Sequence, residues 1–175
     1  MILAWHFSNG KEAYGKHRKT VAGKTHTVTG RVALCERGLH GSVRAIHALN
    51  YAPYNTVQVE RVRLSGTIVA DTDKHVATER TYLAVANCER LFHEFACWCA
   101  ERVLKAERKA GREPDPRSWA AIWVKRQWLQ GKATDEELAA ARAAAGDAAG
   151  AAWDAARDAQ NKKLEAMLNK LLETE

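Results

Sequence analysis

The chain has 175 residues, of which 46% are hydrophobic, and its 27 Lys+Arg against 21 Asp+Glu leave a net charge of +6. That length suits one compact domain with an appended helical piece, and the positive balance excludes an acidic nucleic-acid mimic. No run of 18 apolar residues occurs and the opening "MILAWHFSNGKEAYG" has neither a basic leader nor a small-residue cleavage site, so a soluble, cytoplasmic protein with no membrane partner is expected.

Charge is unevenly placed. Residues 1–80 hold 12 Lys+Arg against 6 Asp+Glu, whereas residues 81–175 hold 15 of each. The segment from Lys11 to Arg31 has six basic residues and one acid, Glu12. Such a surface attracts phosphate or an acidic protein. Lys16, Arg18, Lys19, Lys24 and Arg31 are therefore candidate binding residues. Trp5, Tyr14, Tyr51 and Tyr54 lie in the same half, where aromatic rings beside cations suit stacking on single-stranded bases.

In chain order, "ILAWHF" reads as a first strand, "THTV" and "VALC" as two more, and "TVQVERVRL" as the strongest. That last run changes phase midway: Val57 and Val59 share one face, Val62 and Leu64 the other, which predicts a bulge near Glu60 or Arg61. Gly66 is expected to turn the chain into "TIVAD", and a further strand is expected over Val76–Val85. Between the strands lies a short helix, with Ser42 as its N-cap, Val43, Ile46 and Leu49 at helical spacing, and Pro53 as its stop. Its free amides would face the Gly38–Gly41 turn, a favourable place for an anion, to which Arg37, His40 and Arg44 would add charge.

From Asn87 the pattern turns helical. Asn87 caps a helix striped by Leu91, Phe92, Phe95, Trp98, Cys99 and Val103 and ended by Gly111. Ser118 is expected to open a second helix, closed by Gly131. Thr134 and Glu137 form a capping box for a last helix. In it Leu138, Ala141, Ala145, Ala148, Ala152, Ala155 and Ala159 make a seam of small residues, and Gly146 and Gly150 permit close approach. Continuous from Asp135 to Leu172, it would be about 57 Å long at ~1.5 Å per residue. A helix of that length folds back or pairs with a second copy, so a homodimer through it is one expectation and a monomeric hairpin the other. The expected class is α+β: a small antiparallel or mixed sheet with one short helix, then an all-helical half. The expected regions are a strand-rich basic part (1–86), core helices (87–131) and the Ala-rich helix (132–175).

Specific chemistry is sparse. His93 and Cys97 lie four apart with Cys99 nearby, but no second pair at ligand spacing accompanies them, so no metal site is assigned. Gly15, Gly23 and Gly30 are too irregular for a phosphate-cradling loop. Four cysteines in a chain this long make no disulfide scaffold, and free thiols are expected.

Two resemblances bear on function. The blocks "ALCERGLHGSVRAIHALNYAP", "VQVERVRLSGTIV", "DKHVATERTYL", "LFHEFACWCAERV" and "AAWDAARDAQNKKLEAML" span almost the whole chain. Together they resemble a family known mainly from bacteriophages and their metagenomes, in which a Cys-x-x-Gly-Leu-His turn precedes a short helix ending in Tyr-Ala-Pro. Gly41 stands where that family often has alanine. The resemblance implies a phage accessory protein and no particular reaction. With the basic half, it implies a non-catalytic host-takeover or counter-defence (anti-CRISPR-like) factor that binds nucleic acid or a host nucleoprotein complex in the bacterial cytoplasm, with no cofactor. A fainter similarity to ADP-ribosyltransferase-like folds rests on His6, Ser42 and Glu79 in that order. It implies an NAD-binding enzyme in which His6 and Ser42 hold the nicotinamide ribose and Glu79 stabilises the oxocarbenium-like centre.

Overall fold

The computed structural model describes residues 1–12, 17–145 and 157–173. Its elements are β1 (Ile2–Ser8), β2 (Thr25–Thr27), β3 (Leu39–Gly41), α1 (Ala45–Asn50), β4 (Gln58–Ala70), β5 (His75–Asn87), α2 (Glu89–Lys109), α3 (Pro116–Leu129), α4 (Asp135–Ala145) and α5 (Arg157–Glu173). The class is α+β, as the sequence leads one to expect. The chain forms two compact units, one of residues 1–89 with those from Asn161 onward, the other of Arg90–Gln160.

In the first unit, five strands form one sheet in the order β1-β4-β5-β2, with β3 also paired to β5, and every pairing is antiparallel. β1 pairs with β4 without a break, from Ile2 opposite Leu64 to Ser8 opposite Gln58. Side chains alternate across a strand. One face therefore carries Ala4, His6 and Ser8, then Glu60, Val62 and Leu64, then Arg80 and Tyr82 on β5 and His26 on β2. The other face carries Trp5, Phe7, Val59 and Arg61, the Arg61 guanidinium lying 4.4 Å from the Trp5 ring. Ala4, Val62, Leu64, Ala77 and Tyr82 make the apolar core of the sheet.

The expected bulge falls between Arg61 and Val62, but the extra residue is Leu83 on β5. The phase change in β4 has another cause: Val59 and Val62 are both fully buried, because both faces of this central strand are covered. Contrary to expectation, Gly66 does not end the strand. β4 continues to Ala70, and Gly66 (φ 73°) sits in a second bulge opposite Thr78, where a Cβ would come within 2.1 Å of the Thr78 hydroxyl. "VALC" is not a strand either. Ala33 bridges Arg37 around a tight turn in which Cys35 takes a left-handed φ of 64°, and the third strand begins only at Leu39.

The short helix also differs from its sequence pattern. It starts at Ala45 with Arg44 at the N-cap and no side-chain cap. Ser42 is instead extended, exchanging backbone hydrogen bonds with Trp5 in both directions. The first helical amides are satisfied from α5: Ala45 donates to Glu165 Oε1 at 3.1 Å and Ile46 to Asn161 Oδ1 at 2.9 Å. Leu164 and Leu168, on the same stretch, are completely buried.

The second unit is helical. Asn87 Oδ1 accepts from the Glu89 amide at the start of α2, as expected. α3 begins earlier than expected, at Pro116, because Asp115 and not Ser118 is its cap, accepting from the Arg117 amide. The Thr134–Glu137 capping box forms in both directions. Phe95 stacks on Trp98, and the Lys125 ammonium lies 3.7 Å from the Trp128 ring centre. The continuity of the Ala-rich helix, with Gly146 and Gly150, falls on residues 146–156, outside the described residues. No described helix is long and apolar enough to cross a membrane.

Candidate functional site

The face of the sheet that carries the apolar core also holds buried Glu60, with buried Glu12 beside it. Glu60, fully buried on β4, accepts from Ser8 Oγ and from Gln58 Nε2 (3.2 Å) and lies 2.9 Å from His6 Nδ1. Glu12 is held by Arg18 (2.9 and 3.1 Å) and by His26 Nδ1 at 2.6 Å. Arg80 lies between them, with Nη2 4.0 Å from Glu12 and 2.7 Å from the Tyr82 hydroxyl, and Nη1 donating to the His40 carbonyl at 2.7 Å. Burial pushes both carboxyls upward, but their hydrogen-bond donors and neighbouring cations outweigh it and hold them below the usual range. Burial and then the Arg80 charge lower the pKa of His6 and of His40. The network is thus ionised Glu60 and Glu12 around cationic Arg80, with His6 neutral at pH 7.

This network pins Glu12, Arg18, Thr20 and Gly23 in the segment between β1 and β2. Gln58 reaches Thr20, the Gly23 amide donates to the Tyr82 carbonyl, and Glu12 and Arg18 are joined through both backbone and side chains. Lys11, Lys19 and Lys24 of this segment face solvent. Lys11 and Lys19 are exposed and stand opposite each other across an isolated antiparallel bridge. Side chains directly opposite in such a bridge have Cβ atoms about 5 Å apart, and like charges there repel. Lys11, Lys19, Lys24 and Arg31 have no carboxylate partner among the described residues. The helical unit is different: Arg90, Lys105, Arg108, Arg112, Arg117 and Arg126 each pair with a glutamate or aspartate.

Of the site residues expected from sequence, Lys19, Lys24 and Arg31 are exposed, and Lys16 and Tyr14 lie outside the described residues. Arg18 is committed to Glu12, and Arg37 donates to the Thr29 carbonyl at 2.7 Å. His40 is half-buried, its Nε2 accepting from the Cys35 amide at 3.3 Å. Arg44 sits at the α1 N-cap. The anion site expected there is taken up by Glu165 and Asn161, so the turn before α1 is a corner whose first helical amides are already bonded within the chain. His6, Ser42 and Glu79 are not assembled into a pocket. His6 and Arg80 share one face, and Glu79, adjacent to Arg80 on β5, projects from the other, where it accepts from Ser65 Oγ at 2.8 Å. No group of three His, Cys, Asp or Glu side chains among the described residues is placed to hold a metal ion.

Sequence reasoning missed Glu60, Glu12, Arg80 and Asn161. For Glu60 the signal was present: it occupies an inward position of a strongly apolar strand, where a charge needs a partner.

The chain is thus α+β, with an antiparallel sheet that buries Glu60 and Arg80 beside its apolar core and with exposed cations at Lys11, Lys19, Lys24 and Arg31. A family described as a domain of unknown function (DUF7666) matches residues 16–94, which is β2 through β5 and the first turn of α2. Comparison with curated proteins and with solved structures gave no match.

Proposed function

We propose that the protein is a non-catalytic binding module that engages a nucleic acid, or the nucleic-acid component of a nucleoprotein, through the exposed cations Lys11, Lys19, Lys24 and Arg31. The observation that carries this reading is the Lys11–Lys19 pair. Two exposed lysines face each other on a braced backbone with no carboxylate partner among the described residues, and a bridging phosphate would relieve their repulsion. The gathering in one short segment of cations with no carboxylate partner among the described residues, while most described arginines of the helical unit are paired, supports a directed surface over general solubility. The resemblance to phage-borne proteins makes host takeover or counter-defence the setting in which such a surface would act.

Fluorescence anisotropy with labelled single-stranded DNA, duplex DNA and RNA across a salt series tests this. Phosphate contacts give a log–log slope of about −0.7 to −0.9 for each one. Reversal of Lys11, Lys19 and Lys24 to glutamate should flatten the slope by about 2 to 3 and weaken every sequence alike. Absence of binding to all three polymers at low salt would overturn the proposal.

A further inference from the structure

β4 outruns its neighbour on one side. β1 pairs with it only as far as Leu64, opposite Ile2, whereas β4 continues to Ala70. Beyond the bulge at Gly66, Ile68, Val69 and Ala70 pair with Ala77, Val76 and His75 of β5, and the Asp71 amide donates to the Lys74 carbonyl at 2.9 Å across the hairpin turn. In an antiparallel ladder, opposed residues alternate between pairs that exchange backbone hydrogen bonds and pairs that do not. Asp71 and Lys74 are a bonded pair, so Val69 and Val76 are the next. The N–H and C=O groups of Ile68 and Ala70 therefore point away from β5, and no group among the described residues bonds them on that side.

Such a free edge is a template for another strand, and proteins commonly blunt it with lysine, proline or an inward charge. The stretch 65–70, "SGTIVA", has none of these. Its bulge at Gly66 lies toward β1 and leaves the residues beyond it extended. Ile68 packs against the sheet's core and fixes the backbone there, while Thr67, Val69 and Ala70 are exposed, Val69 by 37%.

We propose that this edge is an interface between two copies of the chain, β4 of one pairing antiparallel with β4 of the other about a twofold axis at Val69. The outward groups set the register. With Val69 opposite its counterpart, Ile68 of each copy faces Ala70 of the other and the two exchange backbone hydrogen bonds. The Val69 side chains meet on the axis at a non-bonded position, where Cβ atoms lie about 4.5–5.5 Å apart. On the same face the Asp71 carboxylate of each copy stands opposite the Thr67 hydroxyl of the other, an acceptor against a donor. An axis at Ile68 would instead set Ala70 against the bulged Gly66, and in-register parallel alignment would set Asp71 against Asp71. The edge is thus self-complementary, as a twofold interface requires. It uses none of the exposed cations Lys11, Lys19, Lys24 and Arg31, so it is independent of the nucleic-acid reading.

A strand pair of this size buries far less than the roughly 1,200–2,000 Å² of a stable complex, so association should be weak and concentration-dependent. Sedimentation equilibrium of the full chain, from low-micromolar to near-millimolar loading, should show the average mass rising from one chain toward two. Over the same range, residue-resolved hydrogen exchange should slow several-fold at the Ile68 and Ala70 amides and stay unchanged at Val69, which is already bonded to β5. Val69→Lys sets like charges on the axis. Ala70→Pro removes an outward donor at a position where an edge strand accepts proline. Each should hold the mass at one chain at every loading. A wild-type chain that stays monomeric throughout overturns the proposal, even if neither variant folds. So does a dimer that a folded Val69→Lys chain still forms, or one in which the Ile68 and Ala70 amides exchange as fast as in the monomer.

Discussion

Replacing Asn161 with alanine tests the clasp that joins the end of the chain to the sheet unit. Asn161 Oδ1 accepts from the Ile46 amide at 2.9 Å, and both residues are buried. Truncation leaves that amide without a partner where water cannot readily replace it. The expected cost is about 1–3 kcal/mol, the desolvation penalty of a buried unsatisfied donor. Loss of Glu165 should cost less, since it is half-exposed, although its carboxylate also meets the positive end of α1, an interaction worth about 0.3–1 kcal/mol. The two side chains serve adjacent amides of a six-residue helix. Once one is lost the helix start frays and hydrates, so the double variant should be less destabilised than the two effects added. Urea unfolding of the four chains measures this. An Asn161→Ala chain within about 0.5 kcal/mol of wild type, at unchanged m-value, would refute the assignment of this clasp as a stabilising contact.

Acid should destabilise the fold in two stages. His6 and His40 have lowered folded pKa values, so below the ordinary histidine value the unfolded chain binds more protons and stability falls as pH drops. Glu60 and Glu12 are also depressed, and their contribution is lost only at lower pH, beneath the ordinary carboxylate value. Thermal melts of His6→Asn should lack part of the first stage and retain the second. Gly38→Ala should destabilise by about 2 kcal/mol or more, because φ there is 132° and a Cβ would sit 2.3 Å from Val76 Cγ2, a strained backbone and a core clash together; circular dichroism melts give the value. Cutting after Gly131 should remove Asn161, Leu164, Glu165 and Leu168 from the sheet unit and leave it unfolded or aggregated, whereas a purely dimerising arm would leave a folded monomer; size exclusion with far-UV circular dichroism distinguishes them.

Much of the local structure was legible. β1, β2 and β5 follow apolar and β-branched runs, and the Thr134–Glu137 box and the Asn87 cap announce helix starts through side chains that reach only two or three residues. The misplacements arose where a local signal was overruled by a distant partner. Ser42 has the chemistry of a cap, yet Trp5 draws its backbone into a bridge, and α1 is capped from a helix some 115 positions away in sequence. Gly66 has the look of a turn, but β5 runs alongside and converts it into a bulge.

The α+β class, the concentration of positive charge before residue 80 and the helical character of the second half were all fixed at the level of the sequence, because periodicity, propensity and net charge are properties of neighbours along the chain. Which charges matter was decided only by the tertiary fold. Folding neutralises Arg18 against buried Glu12 and separates Glu79 from His6 on opposite faces of the sheet. Those outcomes depend on strand order and register, which bring residues far apart in sequence together by burying apolar faces.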